Sequence, residues 1–521
     1  MAIDNNIKPD RISNLMFNVR LIDIKQGVYE ALLNVEDANE LGVHPLDRIR
    51  ISSEKGSLTC IADTTDTLIN KGEAGVFYEA GRELNLAEGE RVDVFLGERP
   101  ASLQYIKKKM DGQKMSRQEI YSIINDVVQN NLSDIELSAY VTAVSIRDMD
   151  MDEITDMINA MVDTGERIKF DKTPIMDVHS IGGVPGNKYA LLTVPIVAAN
   201  GVTIPKTSSR AITSPSGISD TMEVLAPVAH TAQKIKHIAE TVGGTLVWGG
   251  GVNLAPADDK IIHAEYPLSL DPRCQVLASV LAKKKAAGVE YLLIDMPTGH
   301  GVKVATEDEA QQFARDFIEL GRKVGIKVEC AITYGSQPVG RAVGPALEAR
   351  EALMALEGKP TSNSLIEKSC SLAGILLEMA GVAERGAGRR IAEETLRNGK
   401  ALAKFKEIVK AQGGNPDVAS NDVKVGQFKL DVLAPEDGYV DRIDNGAVIQ
   451  ICRTAGAPKD KGAGMIFHKK KGNQVKKGEP LFTIYADNEK KLDWAKAMAQ
   501  KLTPVSLGGM VLGRVPEYRK L

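Results

Sequence analysis

The sequence of 521 residues has few of the side chains that build covalent or metal frameworks. Its five cysteines are far apart and form no CxxC pair, which argues against a disulfide framework or a zinc cluster and favours a reducing compartment. The seven histidines are scattered and show no HExxH or similar ligand spacing. We therefore expect neither a metal ion nor an organic cofactor.

Long apolar runs and an excess of one charge are also missing. The longest apolar-looking run, 191–205, is interrupted by Pro195, Asn200 and Gly201, and is shorter than the ~20 residues that a membrane helix needs. The polar opening residues argue against a secretory signal. With 65 basic and 69 acidic residues, the formal net charge of -4 gives no indication of a nucleic-acid or membrane partner. These absences predict a soluble, cytoplasmic protein.

The pattern of apolar residues changes along the chain and predicts a multidomain α/β protein of about three or four domains. Apolar residues alternate with charged ones at 27–33, 47–51 and 91–96, which predicts a β-rich domain over 1–100 that resembles a small double-psi-type β-barrel. A helical block follows, in which Ser116 and Ser133 each precede a glutamate by three positions, as at the start of a helix.

The rest of the chain alternates strand-like and helical patterns. An α/β domain is expected over 171–425 and a C-terminal α+β domain over 426–521. Asn445-Gly446 indicates a turn that leads into a strand. The segments predicted as strands are 191–194, 244–248, 291–295 and 447–451, and 307–324 is predicted as an amphipathic helix.

A glycine-rich segment is the first candidate for anion binding. Residues 177–188 read DVHSIGGVPGNK. Glycines let backbone N–H groups converge on an anion because no Cβ stands in the way. Ser180, Asn187 and Lys188 add a hydroxyl, an amide and an ammonium as donors. The segment matches neither a Walker A loop nor a GxGxxG dinucleotide site, and an ordinary strand-to-helix turn is the alternative.

A hydroxyl-rich loop is the second candidate. Residues 207–214 hold five serines and threonines around Arg210. Hydroxyls and a guanidinium can hold a phosphate or a ribose through directional hydrogen bonds. The alternative is a capped loop before a helix.

Five sequence blocks occur in a specific order. They are histidine-serine-x-glycine-glycine at 179–183, serine-x-arginine at 208–210, aspartate-x-x-glutamate at 220–223, and longer blocks at 255–284 and 336–341. Together they resemble the thymidine/pyrimidine-nucleoside phosphorylase family, from about Arg117 to the C-terminus. The resemblance implies a helical domain at 104–170, with a returning segment at 255–285, that faces the large α/β domain across a cleft.

The departures from the family pattern concern how the base is held. Val178 stands where thymidine phosphorylases have a lysine, and no arginine lies near Ala264, where these enzymes grip the pyrimidine. Ser279 and Lys283 do match. These changes, together with an extra N-terminal domain, resemble one branch of the family, the AMP phosphorylases.

The resemblance to that branch implies a set of site residues. Asp271 matches the proton donor of the family and would need burial to raise its pKa; a helix cap is the alternative. His179 is expected to be a structural hydrogen-bonding residue. Ile218 stands where the branch usually has threonine, so a hydroxyl is missing there. The residues implied to contact the nucleotide are Gly183, Ser209, Arg210, Ala211, Ile212, Thr213, Ser214, Ile218, Ser279 and Lys303.

The implied activity is phosphorolysis of AMP, with CMP and UMP as further candidate substrates, to free base and ribose 1,5-bisphosphate. Inorganic phosphate is then a co-substrate, and the partners are small molecules together with further copies of the chain in a homodimer or larger homo-oligomer. The main alternative is a thymidine or pyrimidine-nucleoside phosphorylase. A phosphoribosyltransferase or a scaffold without turnover also remains open.

Overall fold

The computed structural model of the chain describes residues 14–97, 99–212, 214–268 and 270–509. The described residues fall into two units. The first unit takes in Met1–Thr164 and Pro256–Val276, and the second takes in Gly165–Ala255 and Leu277–Leu521. Within the described ranges, no helix is long and apolar enough to cross a membrane.

The first unit begins with a closed six-stranded β-barrel. Successive strand residues point to opposite faces, and in the last strand this places Val92 and Val94 in the barrel core. The elements are β1 (Asn14–Ile22), β2 (Glu30–Asn34), α1 (Val35–Leu41), β3 (Arg48–Ser53), β4 (Gly56–Thr65), β5 (Glu73–Phe77), α2 (Tyr78–Glu83) and β6 (Arg91–Leu96). Around the barrel the strands follow the order β1-β5-β2-β4-β3-β6. The expected barrel is therefore present.

Helices follow the barrel in the first unit. Three of them begin with a capping box, in which Ser116, Ser133 or Asp150 exchanges hydrogen bonds with a glutamate three positions on. The helices are α3 (Ser102–Met110), α4 (Arg117–Val128), α5 (Asp134–Arg147) and α6 (Met151–Asp163). The capping signals at Ser116 and Ser133 thus correctly predicted two helix starts.

The chain then alternates strands and helices in an α/β arrangement. The elements are β7 (Met176–Ser180), α7 (Ala190–Ala199), β8 (Ile204–Ser208), α8 (Ile218–Met222), α9 (Ala232–Val242), β9 (Gly244–Trp248), α10 (Pro256–Glu265), α11 (Arg273–Ala286), β10 (Tyr291–Thr298), α12 (Glu307–Val324), β11 (Lys327–Tyr334), β12 (Ala342–Val343), α13 (Pro345–Leu356), α14 (Asn363–Met379), α15 (Gly388–Arg397) and α16 (Lys400–Gln412). Of these, α10 and the start of α11 belong to the first unit. The strands predicted at 244–248 and 291–295 and the helix at 307–324 are confirmed.

Parallel strands form the centre of the second unit. β10 pairs with both β11 and β7, and β8 pairs with β9. An isolated parallel bridge between Ile175 and Thr203 links the two groups. The spatial order is therefore β11-β10-β7-β8-β9, and the chain changes direction of winding between β7 and β10. In open parallel sheets, ligand sites lie outside the carboxyl ends of the strands at such a switch point.

One predicted strand of this part is a helix. Residues 191–194 lie in α7, where every residue from Ala190 to Ala198 is buried. The strand prediction was wrong because a short apolar run that is buried on all sides has no periodicity to separate strand from helix.

The described chain ends in an α+β part. The elements are β13 (Phe428–Leu433), β14 (Gly438–Ile443), α17 (Asn445–Thr454), β15 (Gly464–Phe467), β16 (Gln474–Val475), β17 (Pro480–Ala486), α18 (Glu489–Leu502) and β18 (Val505–Gly508). One sheet has the order β12-β15-β17-β13 and the other β16-β14-β18. The strand predicted at 447–451 was wrong: Asp444 accepts from the Ala447 N–H at 2.8 Å and caps α17 instead. The expected fold class of barrel, helical, α/β and α+β parts is confirmed.

Lys188, a candidate donor to an anion, is buried in the structure. Its Nζ donates to the backbone carbonyl oxygens of Gly186, Val339 and Ala342 at 2.8, 3.0 and 3.0 Å. It also forms an ion pair of 2.9 Å with Glu351. The interpretation of Lys188 as a ligand-binding ammonium is therefore wrong, because its donors hold the backbone of two loops together.

We expect Lys188→Met to lower the free energy of unfolding by about 3–5 kcal/mol, since it leaves the Glu351 carboxylate buried without its partner. Urea unfolding followed by circular dichroism measures the change. The matched control is Lys429→Met, which alters an exposed lysine of β13 and should change stability by less than about 0.5 kcal/mol. Equal stability of the two variants would contradict a structural role for Lys188.

Candidate anion site at the carboxyl ends of the parallel strands

Two loops meet outside the carboxyl ends of β7 and β10. The loop after β7 contains Gly182 and Gly183, both with positive φ near 90°. A Cβ on Gly183 would lie 2.8 Å from the backbone nitrogen of Lys303 and 3.1 Å from Cα of Val302. Only glycine fits this close approach. The structure thus places the predicted residues Gly183 and Lys303 side by side, at the switch point of the sheet.

The glycine-rich loop is held by polar contacts beneath it. The Asn187 amide donates to the Ser180 hydroxyl at 3.0 Å and to the Asp295 carboxylate of β10 at 3.5 Å. Asp295 is fully buried, accepts from the Thr333 hydroxyl at 2.6 Å, and pairs with Lys368 at 2.8 Å. Ser180 and the amide nitrogen of Asn187 are therefore used within the loop and on the strand beneath it.

A buried carboxylate fills the gap between β7 and β8. Asp177 accepts from Lys284 of α11 at 2.6 Å and from the Thr207 backbone N–H at 3.4 Å. Lys284 also donates to the carbonyl and the hydroxyl of Thr207, at 2.8 and 3.0 Å. A second buried lysine, Lys206, donates to the same carbonyl at 2.6 Å. This cluster joins β7, β8 and α11.

The protonation of this region is set by burial and by neighbouring lysines. The pKa of Lys206 is lowered to about 7, mainly by burial; the Asp177 carboxylate raises it, and the positive charge of Lys284 lowers it. The pKa of His179 lies well below its usual value because of burial, and Lys284, Lys206, Lys283 and Lys303 all contribute to the shift. Burial and four nearby lysines therefore all favour the neutral form of His179.

His179 is predicted to be a structural hydrogen-bonding residue. Its Nδ1 is buried, and no partner for this atom lies among the described residues. A buried polar atom without a partner is costly and marks a place where a ligand or water can bind.

The hydroxyl-rich loop begins where β8 ends. The Arg210 guanidinium makes two bonds to the Glu223 carboxylate, at 2.7 and 2.5 Å, and lies 4.8 Å from the Trp248 ring centroid. Asp220 accepts from the Ala211 backbone N–H at 2.7 Å. These contacts fix the conformation of the loop. The Arg210 guanidinium uses two of its donors on the Glu223 carboxylate.

The remaining predicted residues of this loop differ in their surroundings. Ser214 donates to the Ser216 carbonyl at 3.2 Å, Ile212 and Ser209 are exposed, and Thr213 lies outside the described residues. Ile218 is the first residue of α8 and packs against the core of the second unit. Its apolar side chain thus gains packing where threonine would have offered a hydroxyl.

Three predicted residues belong to the region of α11. Ser279 and Lys283 are four residues apart and therefore share one face of this helix, and Ser279 is partly buried. Asp271 lies in the first unit, just before the helix, and is exposed. The burial expected for Asp271 is therefore not seen.

The backbone N–H groups and lysines at this edge can bind an anion. Among the described residues, no three His, Cys, Asp or Glu side chains cluster as metal ligands. A separate cavity of about 420 Å³, lined among others by Lys172, Thr203, Gly243 and Lys404, lies at the opposite, amino-terminal edge of β8 and β9. It is not near Gly183 or the lysines around His179, and we place no chemistry there.

Sequence reasoning missed the role of Asp177 and Lys284. Both residues lie within the sequence blocks described above. They are 107 positions apart, and nothing in the sequence indicates that they form an ion pair. A polar residue inside an apolar strand pattern was the available signal for Asp177.

We expect stability to fall in acid because of His179. Its pKa is low in the folded protein and about 6.5 in the unfolded chain, so the unfolded chain takes up a proton first and stability is lost as the pH falls through 6.5. At pH 5.5, one unit below the pKa of a free imidazole, the loss attributable to His179 is at most about 1.4 kcal/mol. Urea unfolding of the wild type and of His179→Asn at pH 7.5 and 5.5 measures it.

The His179→Asn variant should lack this part of the pH dependence. The matched control is His237→Asn, which removes an exposed imidazole and should retain the wild-type profile. Parallel pH profiles of wild type and His179→Asn would contradict a lowered pKa of His179 in the folded protein.

Family models match three consecutive parts of the chain. The helical bundle domain of the glycosyl transferase family matches residues 103–165. The a/b domain of the same family matches residues 172–402. The pyrimidine nucleoside phosphorylase C-terminal domain matches residues 439–506.

Curated relatives match over nearly the whole chain. An AMP phosphorylase of Methanococcoides burtonii is 51% identical over 507 residues, which cover 97% of this chain and 100% of the relative. An AMP phosphorylase of Methanosarcina mazei is 54% identical over 494 residues, covering 95% of this chain and 97% of the relative.

A solved structure is similar in fold. The anthranilate phosphoribosyltransferase of Thermus thermophilus matches with a TM-score of 0.50 and 19% identity, over 59% of this chain and 98% of that one. This likeness concerns the fold alone. The family models and the full-length relatives show that the chain belongs to the thymidine/pyrimidine-nucleoside phosphorylase family, in the branch of the AMP phosphorylases.

Proposed function

We propose that this protein is an AMP phosphorylase, a pentosyltransferase that uses inorganic phosphate to release adenine from AMP. The observation that carries the proposal is the full-length similarity, at about half of all positions, to relatives that bear this name. The glycine-rich loop at Gly183 and the lysines near it support the proposal, because both substrates are anions. CMP and UMP are further candidate substrates.

The reaction exchanges one bond at C1′ of the ribose for another. A phosphate oxygen forms a bond to C1′ as the bond from C1′ to the base nitrogen breaks, and the electron pair of that bond leaves with the base. Protonation of the base at N7 makes it a better leaving group. The products are adenine and ribose 1,5-bisphosphate, so no oxidant, reductant or metal is required by the balance of the reaction.

The chain offers two groups of residues for the nucleotide. Gly183 and Lys303 supply backbone N–H groups and an ammonium at the carboxyl ends of β7 and β10. The loop that contains Ser209, Arg210, Ala211, Ile212, Thr213 and Ser214 offers hydroxyls and backbone groups after β8, Ile218 follows it, and Ser279 offers a hydroxyl from α11. We assign the 5′-phosphate to Gly183 and Lys303 because this is where the glycine-rich backbone meets the lysines.

Asp271 is the proposed proton donor. Its carboxyl is exposed in the structure, and the role rests on the match to the proton donor of the family. A pyrimidine-nucleoside phosphorylase is not favoured, because the full-length relatives named here are AMP phosphorylases and Val178 and Ala264 lack the cations of that activity. A homodimeric or larger assembly and a cytoplasmic location are also part of the proposal.

We expect strong preference for nucleoside 5′-monophosphates over nucleosides. Loss of charge-assisted contacts to the 5′-phosphate, worth ~2–3 kcal/mol, should lower kcat/KM for adenosine by about two orders of magnitude relative to AMP. Base release from AMP, adenosine and thymidine, with and without phosphate, measures this preference. Thymidine reacting faster than AMP would overturn the proposal in favour of the pyrimidine-nucleoside activity.

Asp271→Asn should bind AMP normally but turn over at least ~10²-fold more slowly, as expected for the loss of a general acid. Calorimetry gives the affinity, and adenine release gives the rate. The matched control is Asp259→Asn, a change in the first turn of α10 outside the proposed site. Near-normal kcat in Asp271→Asn would remove this residue from the mechanism.

A further inference from the structure

One helix of the C-terminal part reaches both loops that the proposed function assigns to the nucleotide. α17 carries Asn445 in its first turn and Arg453 in its last. Asn445 donates to the Gly335 carbonyl at 2.8 Å, and Arg453 donates to the Ile212 carbonyl at 2.6 Å. With a rise of 1.5 Å per residue, these side chains leave the helix about 12 Å apart along its axis.

Arg453 holds the hydroxyl-rich loop by its carbonyl groups. Nη1 of Arg453 donates to the carbonyl oxygens of Ile212 and Ser214, at 2.6 and 3.3 Å. On the other side, the Asp220 carboxylate accepts from the N–H groups of Ala211 and Gly217, at 2.7 and 3.0 Å. A cation on the carbonyls and an anion on the N–H groups together determine the shape of the loop.

A second cation of the C-terminal part, Lys461, contacts the acidic residues that hold the same loop. Lys461 pairs with Glu223 at 2.9 Å and with Asp220 at 3.6 Å. Glu223 is the partner of Arg210, and together Arg210 and Lys461 lower its pKa to about 2. The acids that anchor the loop are thus themselves held by the C-terminal part.

The other end of α17 contacts the loop that carries Lys303. Asn445 is buried, and its amide lies 3.5 Å from the His300 carbonyl as well as 2.8 Å from that of Gly335. A Cβ on Gly301 would lie 3.4 Å from Cβ of Asn445. The helix therefore contacts the loops after β10 and β8 with its two ends.

We propose that Arg453 is a positioning residue for the nucleotide: it fixes the carbonyls of Ile212 and Ser214 and so holds the described residues of the loop, 209–212 and 214–217, in the arrangement that binds AMP. This inference rests on the proposed function, which assigns that loop to AMP. Its effect on AMP is indirect, because its guanidinium is used on the loop backbone. Removing it should loosen the loop without unfolding the protein.

The test compares Arg453→Ala and Arg453→Lys in the full chain. Arg453→Ala should speed amide hydrogen exchange in peptides that cover 209–217, raise KM for AMP about tenfold, and change kcat much less, because the loop binds ground state and transition state alike. Arg453→Lys, which keeps a donor and the charge, should restore part of the affinity. The matched control is Arg442→Ala, a change of an exposed arginine on β14, which should leave both readouts at wild-type values.

The outcomes separate this inference from the proposed function. Unchanged exchange at 209–217 together with unchanged KM in Arg453→Ala overturns the positioning role, even if the wild type is fully active on AMP. A wild type that releases no adenine overturns the proposed function, and the exchange rates then still decide whether Arg453 orders the loop. If Arg453→Ala does not fold, Arg453→Lys decides, and wild-type KM and exchange in that variant contradict the inference.

Discussion

The carboxylate of Asp177 lies at the point where backbone pairing between two neighbouring strands stops. β7 and β8 are joined by the bridge between Ile175 and Thr203, and two positions further along the chain the side chain of Asp177 accepts from the backbone of Thr207. Lys284 neutralises the carboxylate at 2.6 Å. A buried charge without a partner costs several kcal/mol. The separation of β7 and β8 beyond this bridge therefore depends on the ion pair between Asp177 and Lys284.

The separation of the two strands has consequences for both candidate loops. The glycine-rich loop leaves β7 three residues after Asp177, and the hydroxyl-rich loop leaves β8 directly after Thr207 and Ser208. Lys284 comes from α11, the helix that also carries Ser279, so one buried ion pair relates three elements of the site. Lysines that lie close together beside the two loops disfavour further positive charge. The pKa values of Lys206 and His179 are accordingly both lowered, by burial and by neighbouring lysines.

Much of the fold could be predicted from the sequence where the signals are local. The capping residues Ser116 and Ser133 and the strand at 244–248 depend on neighbours within a few positions, and the structure confirms them. The predictions at 191–194 and 447–451 failed because burial and an aspartate cap, rather than apolar content, decide between strand and helix there.

In the candidate site, too, some features could be predicted from sequence blocks, whereas those that depend on tertiary contacts could not. Gly183 and Lys303 were proposed from blocks of sequence, and the structure places them in contact although 120 positions separate them. Lys188 was misinterpreted because a lysine in a glycine-rich loop gives no sign of which carbonyls it will meet. Arg453 was not found at all, since its partner Ile212 lies 241 positions away and the pairing depends on tertiary packing.

We propose that the nucleotide phosphate binds where the loops after β7 and β10 meet. A crystal structure of the full chain with AMP, grown without inorganic phosphate so that no turnover occurs, tests it most directly. We expect the 5′-phosphate within hydrogen-bonding distance of the backbone of Gly183 and of Lys303. A nucleotide bound elsewhere, for example in the cavity lined by Lys172 and Lys404, would contradict the account.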